Sequence, residues 1–199
     1  MPQRRPEFLS SPNRLVRAFV ANAHQLATES AAAQEAEAAR ARAAGAIIMA
    51  VSAVETYLNV LARLWLGQNP EFEHRERIEH DLRTKKSLTR KLEEWPELLF
   101  GKSLNLGSGP GQVFRQFIDT RNQLMHFSSE SHTLEVENVR VNGLFDTAVY
   151  ERLTSSDAER AASSAEDFIE YMLQVQGIAR EQVPHALRLW VGRSPESAT

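Results

Sequence analysis

Apolar residues recur three and four positions apart along most of the chain, which is the spacing of amphipathic helices. The first stripe follows Ser11 and Pro12, an N-cap residue and a first-turn proline, and runs through Leu15, Val16, Phe19, Val20, Ala23 and Leu26. An alanine-rich segment then continues into IIMAVSAVETYLNVLARLWL, which predicts a second, long helix over about 31–66. No Gly or Pro separates the two helices, and we place the break near 28–30.

The predicted second helix would be roughly 55 Å long at 1.5 Å per residue, which is more than a small domain needs. Its alanine-rich half is therefore expected to project from the domain or to pack on a second copy of the chain. Gly67-Gln68-Asn69-Pro70 ends this helix. The densely charged segment at 71–95 predicts two short helices, and the glycine-rich segment at 101–112 predicts a connecting loop.

The remaining segments predict one more amphipathic helix, a β-like arm and a bundle helix. The amphipathic helix is expected over about 111–127, and the alternation in TLEVENVRVNG predicts a small hairpin or an irregular arm. Ser156-Asp157-Ala158-Glu159 reads as a capping box that starts the bundle helix. The seam of that helix would comprise Ala158, Ala161, Ala165, Phe168, Met172 and Val175.

These patterns together predict an all-α fold, an up-down helical bundle with about five principal helices and room for one short β-hairpin. We expect a disordered leader over 1–10, a single helical domain over 11–192 and a disordered tail over 193–199. A chain of 199 residues is long enough for one domain with a substantial core.

Composition narrows the possible functions. The formal net charge of −3 gives no global electrostatic case for nucleic acid, so an anionic ligand would need a local basic patch. The absence of cysteine excludes disulfides, thiolate catalysis and cysteine zinc sites. The six histidines show no metal-ligand spacing, and no nucleotide-binding loop or nucleophile elbow is present. We therefore expect neither a metal site nor a cofactor.

The chain is expected to be cytoplasmic and to have no membrane partner. Its first residues, MPQRRPEFLSSPNR, lack the apolar segment of a secretory signal. The apolar run at 43–61 is interrupted by Glu55 and Asn59, which argues against a membrane-spanning segment.

Arg121 is the least expected residue of the chain, because it lies near the centre of an apolar helix face. That face is formed by Val113, Phe114, Phe117, Ile118, Leu124 and Met125. A guanidinium keeps its charge and is rarely buried without a partner. Arg121 is therefore either a structural arginine that snorkels out of the core edge or pairs with an acid, or a ligand for an anion.

The natural partner for Arg121 is Glu55, which interrupts an otherwise apolar helix. On that helix Ser52, Glu55, Asn59 and Arg63 form a polar stripe roughly 80° wide. The stripe either faces solvent or faces Arg121 across a polar cleft, and the sequence leaves both alternatives open.

His126 is the residue best suited to proton transfer near neutral pH. It is offset from Arg121 by about 140° on a regular helix, whereas Asn122 lies one turn before it on the same face. One chain therefore need not direct Arg121 and His126 to the same point, but two copies packed about a two-fold axis could bring both pairs into one groove.

Lys85, Lys86, Arg90 and Lys91 form the densest basic run of the chain, with acids close on either side. Such a run is most simply a solvated helix face. It is also the one local patch in the sequence that could bind a polyanion such as RNA.

Two segments together resemble the HEPN domain family. The run Arg121-Asn122-Gln123-Leu124-Met125-His126 resembles the family's signature of an arginine, a polar residue and a histidine a few positions later. AVSAVETYLNVLARL resembles the long second helix, where an acidic residue often faces the signature arginine. The order of the helices agrees, and the resemblance covers roughly residues 12–178. Ser128 departs from the toxins of this family that a nucleotidyltransferase silences, because they carry tyrosine at that position.

The resemblance implies a homodimeric, metal-independent endoribonuclease, of the kind found in toxin–antitoxin and antiviral-defence systems, with an antitoxin protein as a further partner. His126 would act as general acid or base, Arg121 would hold the scissile phosphate, Asn122 would orient His126 or contact the phosphate, and Glu55 would fix Arg121. Some members of the family are non-catalytic, so the alternative is a helical module that binds RNA, a nucleotide or a partner protein.

Overall fold

The computed structural model describes residues 11–125, 132–136, 139–144 and 147–192. Those ranges contain eight helices: α1 (Arg14–Ala32), α2 (Ala36–Gln68), α3 (Arg75–Arg83), α4 (Leu88–Phe100), α5 (Gly109–Met125), α6 (Ala148–Glu151), α7 (Ser155–Val175) and α8 (Val183–Val191). The all-α prediction is confirmed. The predicted leader at 1–10 and tail at 193–199 lie outside the described residues.

The β-like arm forms two short antiparallel strands, β1 (His132–Val136) and β2 (Val139–Leu144). Their register pairs Val136 with Val139 and His132 with Leu144, with an irregularity between His132 and Leu134. Of the two alternatives that the alternating pattern left open, the structure therefore contains the paired strands.

The core lies where α2 packs between α1 and α7, and small residues allow these helices to approach closely. Its fully buried side chains include Ile47, Val51, Val54, Leu58, Phe168 and Met172. The alanine-rich half of α2 neither projects nor depends on a second copy, so that expectation is wrong. Ala43 and Ala46 are fully buried against Ala27 of α1 and Ala158 of α7. An alanine face costs little entropy on burial and suits a close helix crossing.

Two predicted boundaries differ from the structure. The break between α1 and α2 lies at 33–35 rather than near 28–30, and the Ser30 hydroxyl donates to the Ala39 carbonyl across it at 2.8 Å. Alanine gives no break signal, which explains the error. The capping box uses Thr154 and Asp157 rather than Ser156 and Glu159, because Asp157 replaces the Glu or Gln of the usual pattern.

Helix α2 is, by length and composition alone, long and apolar enough to cross a membrane. In the structure its apolar side chains are largely core residues. Val51, Val54 and Leu58 have no exposed surface.

The position of α5 determines where Arg121 lies. Phe114 stacks on Phe168 of α7 at 4.6 Å between ring centroids, and Phe117 and Ile118 are buried. At the start of α5, a Cβ on Gly111 would lie 2.0 Å from the Asn105 carbonyl oxygen, so only glycine fits there. The glycine-rich loop is therefore packed tightly on α5 rather than serving only as a connection.

The helical wheel places six apolar residues on one face of α5, but the structure does not bury that face along its whole length. Val113 is 37% exposed and Met125 53% exposed. Both lie near the ends of the helix.

Helices α3 and α4 fulfil the prediction of two short helices. Helix α8 has no counterpart among the predicted elements, although its signals are in the sequence. Pro184 stands in its first turn, and Gly192 ends it with a left-handed φ of 82°.

Candidate functional site

A polar cleft of about 480 Å³ opens where α2, α4 and α5 meet. We call it the Arg121 cleft. Its walls come from α2, from the α3–α4 turn with the start of α4, and from α5, and they comprise Glu55, Lys85, Lys86, Ser87, Leu88, Thr89, Ile118, Arg121, Asn122 and Gln123. The cleft thus brings together five of the residues that the sequence singled out.

Glu55 is shared between two cations, and we call these three residues the Glu55 cluster. Its Oε2 lies 3.6 Å from Nη2 of Arg121, and its Oε1 lies 3.6 Å from Nζ of Lys91. The predicted contact between Glu55 and Arg121 is therefore present. Glu55 and Asn59 of the polar stripe on α2 therefore face α4 and α5, whereas Arg63 of the same stripe is exposed.

Arg121 is only partly satisfied by these contacts. Its side chain is 21% exposed, and its Nε is buried with no hydrogen-bond partner in the described part of the chain. A contact of 3.6 Å is longer than a charge-assisted hydrogen bond, which has a length of about 2.7–2.9 Å. Arg121 therefore keeps donor capacity for a further acceptor.

Lys91 does not lie on a solvated helix face, and its prediction as an RNA-contacting residue is wrong. Its side chain is 3% exposed, and its ammonium donates to Oδ1 of Asn59 at 2.9 Å and lies 5.3 Å from the centroid of the Trp95 ring. Burial lowers the pKa of Lys91, and the attraction of Glu55 offsets part of this effect. Lys91 is thus a buried cation: it adds positive charge near the Arg121 cleft, but its side chain is not accessible to a ligand.

Lys86 belongs to a different arrangement, the Asp81 cluster, formed by Arg77, Asp81, Lys86 and Glu94. Its ammonium donates to Glu94 at 2.8 Å and to Asp81 at 3.1 Å. The hydrogen bond to Glu94 is the main cause that raises the pKa of Lys86. Although Lys86 lines the cleft, its charge is neutralised by two carboxylates.

Lys85 and Arg90, the other two residues of the basic run, are both exposed, but only Lys85 lines the cleft. Arg90 is 69% exposed and lies 3.7 Å from Glu93 on its own helix. Lys85 has no ion pair among the described residues. Of the four predicted substrate-binding residues, Lys85 is therefore the one whose charge is available in the cleft.

Asn122 lines the same cleft, is half-buried and has no hydrogen-bond partner within the described ranges. Its amide can therefore donate to a bound anion. His126, the predicted acid or base, lies outside the described residues.

Helix α4 begins at the cleft, with Ser87 as its N-cap and no side-chain capping bond. The first backbone N–H groups of a helix lack intrahelical partners and carry partial positive charge. They add to the positive potential of Lys85 and Arg121. The arrangement can therefore hold a phosphate or another anion with a guanidinium, an ammonium and an amide.

Two features of this site were missed at the level of the sequence. The inward direction of Lys91 had a signal, because Leu88, Lys91, Leu92, Trp95 and Leu99 form one helical stripe with a cation inside it, as Arg121 does in α5. The approach of the α3–α4 turn to Arg121 had no sequence signal, since it depends on the tertiary packing of α4 on α2.

Among the described residues no group of three His, Cys, Asp or Glu side chains is arranged to hold a metal ion. The acids of the site are instead all in contact with basic side chains.

Comparisons with protein-family models, with curated proteins and with solved structures found no match to this chain. The resemblance to HEPN domains accordingly rests on the signature residues and on the order of the helices.

Proposed function

We propose that this chain is a HEPN-type endoribonuclease that cleaves RNA without a metal ion. The observation that carries the proposal is the cation excess at Arg121. Among the described residues that line the cleft, Glu55 is the one carboxylate, and it contacts both Arg121 and the buried Lys91. A site of this charge, with Asn122 and Lys85 beside it, has the composition needed to bind a phosphodiester.

The proposed reaction is an internal transfer at phosphorus. A general base removes the proton of the 2′-hydroxyl, the 2′-oxygen bonds to phosphorus, and the bond from phosphorus to the 5′-oxygen breaks as a general acid protonates that oxygen. Arg121 stabilises the charge that develops on the phosphoryl oxygens, and Glu55, which Lys91 also contacts, holds Arg121 in place. His126 is the proposed acid or base.

One signature histidine per chain cannot serve as acid and base in the same turnover, so the proposal includes a homodimer in which each chain supplies one His126. A role as a cytoplasmic toxin or defence protein, with an antitoxin partner, belongs to the same proposal.

The alternative function is a non-catalytic module that binds RNA, a nucleotide or a protein. The contact between Arg121 and Glu55 within one chain favours it, since the arginine already has a structural partner. The two functions differ in what they require of His126.

The test is cleavage of a single-stranded RNA by the purified full chain in the presence of EDTA. Wild-type protein should cut the RNA and leave a 2′,3′-cyclic phosphate, whereas Arg121→Gln and His126→Ala should be inactive. An RNA whose 2′-hydroxyls are replaced by hydrogen should bind but remain intact. Binding without cleavage by any of the proteins would favour the non-catalytic module, and cleavage by His126→Ala at the wild-type rate would refute the proposed mechanism.

A further inference from the structure

A second cleft, of about 430 Å³, lies between the end of α2 and α3. We call it the Arg83 cleft. It has an apolar floor that includes Leu66 and Leu82, and its charged lining residues are Arg63, Arg75, Arg83 and one acid, Glu79. Arg83 and Lys85 are only two positions apart on the turn that leads to the Arg121 cleft.

Two of the three arginines of the Arg83 cleft are not neutralised within the described residues. Arg75 is used structurally, because it lies 2.7 Å from Glu79 and donates to the Pro70 carbonyl at 3.0 Å. Arg63 has no ion pair in the part of the chain that the structure describes. Arg83 contacts Nδ1 of His80 at 3.4 Å and likewise has no carboxylate partner there. The Arg83 cleft therefore carries an excess of positive charge in a chain whose net charge is −3.

The two clefts are neighbours by geometry. Glu55 and Arg63 are eight residues apart on α2, which separates them by about 12 Å along the helix axis. On the other wall, the Cα atoms of Arg83 and Lys85 can be at most about 7.6 Å apart. The positive charge of Arg63 also contributes to lowering the pKa of Lys91, and Lys91 contacts Glu55 of the Arg121 cleft.

We propose that single-stranded RNA extends from the Arg121 cleft past Lys85 into the Arg83 cleft, where Arg63 and Arg83 contact its phosphates. This inference rests on the proposed function and adds the direction in which the substrate leaves the site. Unpaired cations at intervals along a groove track a flexible polyanion, and the apolar floor accepts an unstacked base.

The backbone of Lys85 supports this direction. Lys85 has a φ of 54°, a left-handed conformation that suits glycine and disfavours a residue with a Cβ. Lys85 follows Thr84, the C-cap residue of α3, and the next N–H, that of Lys86, donates to the Asp81 carbonyl at 3.0 Å, which fixes the turn. A lysine at this position places an ammonium in the Arg121 cleft, two residues after Arg83 of the Arg83 cleft, despite the conformational cost.

The experiment measures binding of two single-stranded RNAs to full-length His126→Ala protein, so that cleavage does not interfere. One RNA is a dinucleotide that can occupy only the Arg121 cleft, and the other has about 12 nucleotides, within the range of known single-strand sites. The double variant Arg63→Gln/Arg83→Gln is compared with Arg14→Gln, which removes an exposed arginine on α1. Thermal melting of every variant checks that the fold is intact.

The double variant should bind the dinucleotide as the parent protein does and should bind the longer RNA more weakly. The slope of log K against log salt for the longer RNA should fall by about 1.4, because each lost phosphate contact removes about 0.7. Lys85→Gly should also weaken binding of the longer RNA, while its melting temperature stays equal or rises. Arg14→Gln should change neither.

An unchanged salt slope in the double variant, together with weaker binding of both RNAs by Arg121→Gln, would overturn the inference and leave the proposed function standing. Poly-glutamate serves as a second, non-nucleic polyanion. If the double variant lost as much affinity for poly-glutamate as for the longer RNA, the inference would also be overturned, in favour of an acidic protein as the partner. If the parent protein bound neither RNA, the proposed function itself would fail.

Discussion

The Asp81 cluster and the Glu55 cluster each include a residue of α4, yet they differ in the balance of positive and negative charge. The Asp81 cluster sets two carboxylates against two cations, and Lys86 bridges both acids at 2.8 and 3.1 Å. The Glu55 cluster sets one carboxylate against two cations, each 3.6 Å away. One arrangement is complete within the described chain, and the other lacks one negative charge.

The difference separates a structural ion-pair network from the proposed binding site. The Asp81 carboxylate also accepts a hydrogen bond from Nε1 of the buried Trp95 at 3.1 Å, so this cluster fixes α3 on α4. The buried Nε of Arg121 has no such partner among the described residues. Buried donors are rarely left unsatisfied in native proteins, so this Nε marks Arg121 as incompletely paired within the described residues.

The largest expected effect follows from removing the cation that the Glu55 cluster leaves partly unpaired. Arg121→Gln should lower kcat/KM for RNA cleavage by about 1000-fold, since it removes a charge that stabilises the transition state. Arg77→Gln, the same change in the Asp81 cluster, should leave kcat/KM within about twofold, because Arg77 is outside the Arg121 cleft. Steady-state cleavage assays measure both, and equal losses would abolish the distinction between the clusters.

The next effect should appear in stability rather than in activity. Asp81→Ala leaves Nε1 of Trp95 and one interaction of Lys86 without an acceptor, at an expected cost of about 2–3 kcal/mol in the free energy of unfolding. Urea denaturation measures this cost. A loss well below 1 kcal/mol would show that the Asp81 cluster does not have the structural role given to it here.

Two smaller effects, on the RNA affinity of the Glu55 cluster, should have opposite signs. Lys91→Met removes a buried positive charge and leaves Glu55 to Arg121 alone, so RNA affinity should fall by about fivefold, equivalent to roughly 1 kcal/mol. Glu55→Gln removes the competing carboxylate and should raise affinity by a similar factor, while cleavage slows because Arg121 loses its anchor. Isothermal titration with the uncleavable 2′-deoxy strand measures both changes. Shifts of the same sign would contradict the charge balance described here.

The smallest effect is a dependence of stability on acid. Burial tends to raise the pKa of Asp81, but hydrogen bonds from Trp95 and Lys86 lower it overall, and the bond from Lys86 also lowers the pKa of Glu94. A carboxylate with a lowered pKa in the folded state stabilises the protein above its unfolded pKa, and this stabilisation is lost as the pH falls below about 4. Asp81→Asn should flatten the stability profile in that range, as denaturation at several pH values would reveal.

The sequence predicted the contact between Glu55 and Arg121 because each charge interrupts an apolar helical stripe. The same reasoning applied to Lys91 would have predicted its burial, but the neighbouring basic residues made it look like part of a solvated run. The left-handed turn at Lys85 could not be predicted, since it follows from packing rather than from a local signal. Likewise, the break at 33–35 is hidden because alanine favours helix on both sides of it.

The central claim is that the Glu55 cluster, unlike the Asp81 cluster, is short of one negative charge and binds a phosphodiester in its place. Titration of a 2′-deoxy dinucleotide monophosphate into wild-type protein, Arg121→Gln and Arg77→Gln tests it directly. We expect saturable binding to wild type and to Arg77→Gln, with loss in Arg121→Gln alone. Equal binding by all three proteins, or equal loss in both variants, would contradict it.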